Sequence, residues 1–406
     1  MGDWLSKTVE LDVTNIAHGG ISVARLDGRV VFVSDAIPGE KVLARITEDR
    51  KKSFWRAETV EVVEASPHRV PHIWSAASLD RDPTERAGGA EFGHIDLAHQ
   101  RELKRQVILD SLKRMAGVDR DVVVESLPGD DERGGTGWRT RVRLHAGPDG
   151  RLGPYSARSH TVIPVDDLPL ASDELQAVAP LGEVFTAGES IDVIAPSTGG
   201  VRLVIGEQKP SVITEQVGER TFQLHDTGFW QVHRHAPMTL TEAVQSAIDG
   251  DLFDPSAQNL DLYGGVGLLA AAVADRFGDA TRITTVESDA AATDSAADNL
   301  AEFLGARAET GRVDRWLREL AARPTTRMQD ATVVLDPPRA GAGRDVVDLL
   351  AGLAPRQLVY VACDPVAFAR DVALLAERGY ELTGLRAFDL FPHTHHVEAV
   401  GSLVRR

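Results

Sequence analysis

The sequence predicts an α/β protein: a doubly wound, Rossmann-like domain at the carboxyl terminus, preceded by a small β-barrel and a mostly antiparallel central domain. Three observations predict it. From Phe229 onward apolar runs alternate with alanine-rich helical stretches, the pattern of a largely parallel sheet covered by helices. Before residue 65, short apolar and β-branched runs are punctuated by turn signals such as Asp27-Gly28 and Pro38-Gly39, at the spacing of an all-β module. Between these regions, short runs are joined by glycine-bearing turns, which suits antiparallel strands.

Residues 1–64 read as strands over Thr8 to Val13, Gly20 to Leu26, Arg29 to Val33, Glu40 to Thr47 and Ala57 to Glu64. Residues 65–228 begin with an irregular linker marked by Pro67, Pro71, Pro83 and Gly88-Gly89. A helix follows over 99–115, with Leu103, Val107, Leu112 and Met115 as its expected buried stripe. Strands are expected over Arg139 to Leu144, Thr161 to Val165, Ser190 to Ala195, Val201 to Gly206 and Thr221 to His225. In residues 229–406, strands at Asn259 to Tyr263, Arg282 to Glu287, Val333 to Leu335 and Leu358 to Val361 alternate with helices. Those helices cover Leu268 to Arg276, Ala290 to Leu304 and Arg344 to Leu353. Such sheets bind ligands beyond the carboxyl ends of their strands, and the candidate residues below fall there.

A chain of 406 residues is long enough for two or three cores, and 43% hydrophobic with 26% charged residues describes an ordinary globular composition. No stretch approaches the roughly 20 apolar residues of a membrane span, and the start, Met-Gly-Asp-Trp-Leu-Ser-Lys, lacks the apolar core of a secretory signal. A cytoplasmic, reducing setting is therefore expected. The net charge of −17 argues against a protein that coats nucleic acid along its whole surface. Three local groups oppose that average: Lys41, Arg45, Arg50, Lys51, Lys52 and Arg56 beside Phe54 and Trp55; Arg101, Lys104, Arg105, Lys113 and Arg114; and Arg133, Arg139, Arg141 and Arg143. Each alone reads as a solvated face; three in the first 143 residues point to polyanion binding.

The chain has one cysteine, Cys363, where the apolar run Leu358-Val-Tyr-Val-Ala-Cys-Asp-Pro365 stops. It can form neither an internal disulfide nor a cysteine metal cage, which leaves a nucleophile or an inert buried thiol. Asp261-Leu-Tyr-Gly-Gly-Val-Gly267 closes one strand and opens the next helix, so the backbone can pass close to a ligand at a helix amino terminus. Glu287 ends the following strand, where an acidic side chain can accept hydrogen bonds from ribose hydroxyls. By itself this turn also suits a nicotinamide nucleotide, with Ala270 in third place of the glycine pattern.

Further motifs narrow the choice. Val334-Leu-Asp-Pro-Pro-Arg-Ala-Gly341 carries Asp336 on a rigid turn, Tyr360-Val-Ala-Cys-Asp-Pro365 carries the thiol, and Asp389-Leu-Phe-Pro-His-Thr-His-His-Val-Glu-Ala-Val400 carries Glu398. Together with Phe229-Trp-Gln-Val232, they resemble the RNA uracil-5-methyltransferase family in kind, order and spacing. Asn15-Ile-Ala-His-Gly-Gly-Ile-Ser-Val-Ala24 and Ala36-Ile-Pro-Gly-Glu-Lys-Val42 resemble the TRAM domain, an OB-like RNA-binding module.

The resemblance implies S-adenosylmethionine as methyl donor and a uridine in structured rRNA or tRNA as acceptor. It implies Cys363 as nucleophile, Glu398 as base, and Gln231, Tyr263, Gly265, Gly267, Glu287 and Asp336 around the cofactor; Asp314, expected in a loop, is a further cofactor candidate. Leu268 stands where the family often has Asn after the glycine turn. Many members hold an iron–sulfur cluster on four cysteines; the corresponding stretch, roughly 66–99, has none, so no cluster is expected and Trp74 and Phe92 are the expected anchors.

Two other functions fit parts of the pattern. An RNA cytosine-5 methyltransferase uses similar thiol addition but usually two cysteines, and a non-catalytic RNA-binding or folding factor would not need Cys363, Glu398 and Asp336. No metal is expected: His395 and His396, as neighbours on a strand, would point to opposite faces. Asp364 adjoins Cys363 and would oppose thiolate formation, with Arg339 or Arg370 as the candidate offsetting charge.

Overall fold

The structure is a computed structural model that describes residues 4–157, 159–323 and 328–406; residues 1–3, part of the amino-terminal stretch considered above, lie outside it. Strands β1 (Thr8–Ala17), β2 (Ile21–Leu26), β3 (Arg29–Ser34), β4 (Lys41–Glu48) and β5 (Phe54–Glu64) close into a barrel in the order β1-β2-β3-β5-β4. Alternate residues point inward, so Leu11, Val13, Val31, Val33, Val42, Ala44 and Ile46 form its core with Trp55. Closure leaves the barrel no unpaired sheet edge.

Helix α1 (Leu97–Ala116) starts at Asp96, whose carboxylate accepts from His99 N at 2.9 Å, and ends at Gly117 with φ 64. Its buried face differs from the expected stripe. Gln100, Leu103, Lys104, Ile108, Ser111 and Leu112 are buried, whereas Val107 is half-buried and Met115 is 42% exposed. The face turns because α1 packs on a second helix and sends two polar side chains, Gln100 and Lys104, into the carboxyl-terminal loop.

The central region contributes β6 (Val124–Glu125), β7 (Arg141–Ala146), β8 (Leu152–Gly153), α2 (Asp173–Val178), β9 (Ser190–Ile194) and β10 (Arg202–Ile205). Strands β7 to β10 form an antiparallel sheet in the order β10-β9-β7-β8, and β11 (Val212–Val217) pairs with β12 (Arg220–His225) as a hairpin. The strand expected over Thr161 to Val165 does not form. One bridge joins Tyr155 and Val162, and Pro164 has no N–H to extend a ladder. Trp74 and Phe92 are buried in the linker.

The rest is α3 (Ala236–Ala247), β13 (Asn259–Leu262), α4 (Leu268–Phe277), β14 (Ile283–Glu287), α5 (Ala290–Asn299), β15 (Ala306–Thr310), α6 (Val313–Ala321), β16 (Thr332–Leu335), α7 (Gly343–Leu353), β17 (Gln357–Ala362), α8 (Pro365–Ala376), β18 (Tyr380–Phe388) and β19 (Glu398–Arg405). They build one sheet in the order β15-β14-β13-β16-β17-β19-β18-β6, with β13 to β17 parallel and β19 antiparallel to β17 and β18. Every residue of β17 is buried, as a strand covered on both faces requires. The order reverses between β13 and β16, which opens a crevice at their carboxyl ends. Among the described residues no helix is long and apolar enough to cross a membrane.

The basic groups are less free than their sequence suggests. Lys41 pairs with Glu64, Arg45 with Asp82, Arg56 with Glu48, Arg133 with Asp173 and Arg143 with Asp192. Lys104 is not a surface cation at all: its side chain is fully buried against Asp389. The first group keeps its aromatic partner, with the Lys51 ammonium 4.6 Å and the Arg56 guanidinium 5.6 Å from the Phe54 ring centre.

Candidate active site

Three strand ends meet at one point. Strand β16 runs out into Asp336, β17 into Cys363, and β19 starts at Glu398. Leu335 is paired with Tyr360 and Ala362 with Ala399, so this register brings Asp336, Cys363 and Glu398 to the same end of the sheet. Cys363 is half-buried; Glu398 is 5% exposed and sits between the buried Val397 and Ala399.

Burial governs the protons here. It pushes the Cys363 thiol up to about 12, with Glu398 and then Asp336 adding to the shift and Arg339 opposing it. Burial, then the neighbouring Asp336, raises Glu398 well above the usual carboxylate range. Asp336 itself is pushed up to about 7 by burial and then by Asp261. Asp261 also rises to about 7, mainly by burial, against a hydrogen bond from Thr285 Oγ1 at 3.0 Å. At neutral pH Glu398 therefore keeps its proton, while Asp336 and Asp261 stand near the midpoint of their titration.

The glycine turn borders the same crevice. Tyr263, with φ 61, is a non-glycine residue in left-handed backbone. Gly265 and Gly267 have φ 53 and 89, and Gly267 caps α4. Glu287 Oε2 accepts from Gly265 N at 3.2 Å, while Oε1 accepts from Ser288 Oγ and Asp289 N at 2.9 Å. Asp314 is not in a loop: it lies in the first turn of α6, paired with Arg312 at 3.1 Å. Burial and then Asp314 push the Tyr263 phenol up to about 12. Gln231 stands apart, lining a cavity of about 270 Å³ with Trp230, Glu215 and Arg234.

Beside Cys363 lies a cavity of about 90 Å³ walled by Ile16, His18, Phe92, Lys104, Arg339 and His396, so the barrel, the linker and α1 all reach the thiol. Arg339 Nη2 is 3.3 Å from His396 Nε2 and faces the cavity, whereas Arg370 is committed to Asp371 and the Ala340 carbonyl. Of the two offsetting charges considered above, Arg339 is the one in place. Asp364 weighs least on the thiol because its carboxylate is engaged elsewhere: Oδ1 caps α8 through Val366 N and Ala367 N, and Oδ2 lies 3.1 Å from His18 Nε2.

His393, His395 and His396 lie in a turn before β19, not on a strand, so the rings of His395 and His396 are neighbours with centres 4.0 Å apart. His393 is held by Gln100 Nε2 at 3.0 Å and Gly134 O at 2.8 Å. Among the described residues no cluster fit for a metal forms. With its one cysteine at the end of β17, the chain does not supply the thiolates an iron–sulfur cluster needs. Sequence reasoning missed His18, Asp261 and the seating of Arg339 on His396. The Asp that opens Asp261-Leu-Tyr-Gly-Gly was one available signal; His18 stood in the TRAM-like segment Asn15 to Ala24, but its partner lies in another part of the chain.

Residues 216–406 match the tRNA (uracil-5-)-methyltransferase family and residues 5–55 match the TRAM domain. An uncharacterised RNA methyltransferase of Streptomyces avermitilis is 36% identical over 98% of both chains. The chain belongs to the tRNA (uracil-5-)-methyltransferase family. An uncharacterised RNA methyltransferase of Bifidobacterium longum is 36% identical over 98% of this chain and 96% of its own. This family member also shares its fold with the Pyrococcus abyssi tRNA (uracil-54, C5)-methyltransferase, solved with S-adenosyl-L-homocysteine: TM-score 0.70, 22% identity, 98% of this chain and 100% of the other. It is an RNA methyltransferase with an S-adenosylmethionine-dependent fold and an amino-terminal TRAM domain.

Proposed function

We propose that this methyltransferase modifies carbon 5 of a uridine in a structured RNA, rRNA or tRNA, through a covalent bond between Cys363 Sγ and carbon 6. The observation that carries the reading is the meeting of Cys363, Glu398 and Asp336 at adjacent strand ends. Residues 1–64 are assigned to RNA binding, 65–228 to shaping the cleft, and 229–406 to the chemistry.

The crevice residues fit the methyl donor. No described residue hydrogen-bonds the Asp336 carboxyl, and a Cβ on Gly265 would meet nothing within 4 Å, so the turn leaves room for a nucleoside. Tyr263, Gly265, Gly267, Glu287 and Asp336 would hold it; Gln231 lines a separate cavity. S-adenosylmethionine supplies an electrophilic methyl group when bound.

Carbon 5 of uracil is a poor nucleophile. Addition of Sγ at carbon 6 moves the ring's double-bond electrons onto the carbonyl as an enolate, which makes carbon 5 reactive. After methylation Glu398, once it has given up the proton that burial favours, takes the carbon 5 proton as a carboxylate; the electrons left behind re-form the double bond and expel Sγ. Its buried setting makes that carboxylate a stronger acceptor than a solvated one. Arg339, the cation in the cavity, favours the thiolate.

The test uses RNA carrying 5-fluorouridine, whose carbon 5 has no proton to lose. A denaturation-resistant protein–RNA adduct is expected with the wild type and not with Cys363→Ser. No adduct under turnover conditions would defeat the proposal, and mapping 5-methyluridine in RNA from cells lacking the protein identifies the target.

A further inference from the structure

The turn between β1 and β2 is part of the catalytic cavity. His18, Gly19 and Gly20 line it together with Cys363, Asp364 and Pro365. His18 Nε2 lies 3.1 Å from Asp364 Oδ2. Gly20, at φ 71, touches the carboxyl-terminal loop so closely that a Cβ would sit 2.5 Å from His395 Cβ. Ile16, just before the turn, is buried with Phe92, Ile95 and Leu103. The barrel is thereby seated against the linker, α1 and the loop that leads into Glu398.

Asp364 follows the thiol directly. One of its oxygens is satisfied by the first amides of α8, at 3.0 and 2.8 Å; the other faces His18. Left without that partner, a carboxylate beside the sulfur opposes its ionisation and is free to turn toward it. We propose that His18, carried by the amino-terminal barrel, is a positioning residue for methylation: it holds Asp364 on the α8 cap and balances its charge, so docking of the barrel readies the nucleophile. The proposal rests on the reading of Cys363 as the nucleophile. Among the described residues Asp364 is the charged group in contact with His18, and its hydrogen bond raises the imidazole's pKa; Lys104, Arg339, His395 and His396 line the same cavity. The His18 side chain is 46% exposed, so it exchanges protons with solvent.

With one cysteine in the chain, thiol labelling reports on Cys363 alone. The full-length protein, without RNA, is treated with methyl methanethiosulfonate across a pH range. Below its raised pKa His18 is protonated and balances Asp364; above it the charge is gone. His18→Ala is therefore expected to slow labelling about threefold near pH 6 and clearly less near pH 9, where the neutral imidazole still donates to Asp364 but carries no charge. His18→Lys, charged at both pH values, keeps the fast rate at the lower one. Unchanged labelling of His18→Ala throughout, or slowing by the same factor at both ends of the range, overturns the proposal, since a purely structural role gives no pH dependence. So does a slow His18→Lys. Circular dichroism melting confirms that the variants are folded. Failure of the wild type to methylate RNA would count against the proposed function and leave this measurement intact.

Discussion

The Lys104 ammonium and the Asp389 carboxylate are paired with neither side chain reaching solvent, which ties α1 to the loop that carries the sequence into Glu398. The ammonium also donates to the Phe391 carbonyl at 3.0 Å, and Arg101 Nε lies 3.4 Å from the second Asp389 oxygen. Removing one partner strands a charge in the interior. Asp389→Leu is expected to cost about 3–5 kcal/mol in urea unfolding, and Lys104→Met/Asp389→Leu to recover most of it. Equal losses in the single and double variants would show that the pair itself, not the stranded charge, matters.

That pair also shows where sequence reading stopped. The doubly wound sheet was legible because its strands are continuous apolar runs and its helices are alanine-rich, and Asp336, Cys363 and Glu398 were legible because motifs carry them. Lys104 read as a surface cation because a helix pattern shows which residues are charged but not which face meets a loop nearly three hundred residues away. His18 was hidden for the same reason. The Thr161 to Val165 strand failed on Pro164, a local signal outweighed in the reading by its apolar neighbours. His395 and His396 were judged as strand residues, and a turn brought their rings together.

Glu398→Gln separates the two halves of the proposed reaction. Addition and methyl transfer need no base at carbon 5, whereas release of the thiol does. Methylation turnover is expected to fall by about 10²–10⁴-fold while a protein–RNA adduct accumulates on denaturing gels with unmodified RNA. Turnover within about twofold of wild type would remove Glu398 from the role of base.

Asp336 gives a pH signature without RNA. Its pKa of about 7 in the fold exceeds the usual value of 3.8, so the folded state holds the proton more tightly than the unfolded chain. The sign follows: the fold is favoured below the unfolded pKa, and this contribution is lost as pH rises through about 7. Asp336→Asn cannot ionise. Urea midpoints at about pH 5 and pH 8 should fall more in the wild type than in the variant. Identical falls would mean that Asp336 does not carry the proton.

Two neighbouring glycines separate space from backbone conformation. A Cβ on Gly264 would lie 1.8 Å from Thr285 Oγ1 and 2.6 Å from Asp261 Oδ2, though its φ lies outside the left-handed range. Gly264→Ala must therefore push the Thr285–Asp261 pair aside, and is expected to weaken S-adenosylhomocysteine binding by about tenfold in calorimetry, a shift of roughly 1.4 kcal/mol. Thr285→Ala removes the nearer obstacle, so Gly264→Ala/Thr285→Ala should regain part of the affinity. Gly265 presents the opposite case: open space but φ 53. Gly265→Ala is expected to lose about 1–2 kcal/mol of stability from left-handed backbone, and Thr285→Ala should not restore it. If Thr285→Ala relieved both substitutions equally, the distinction between a filled and a strained position in this turn would be wrong.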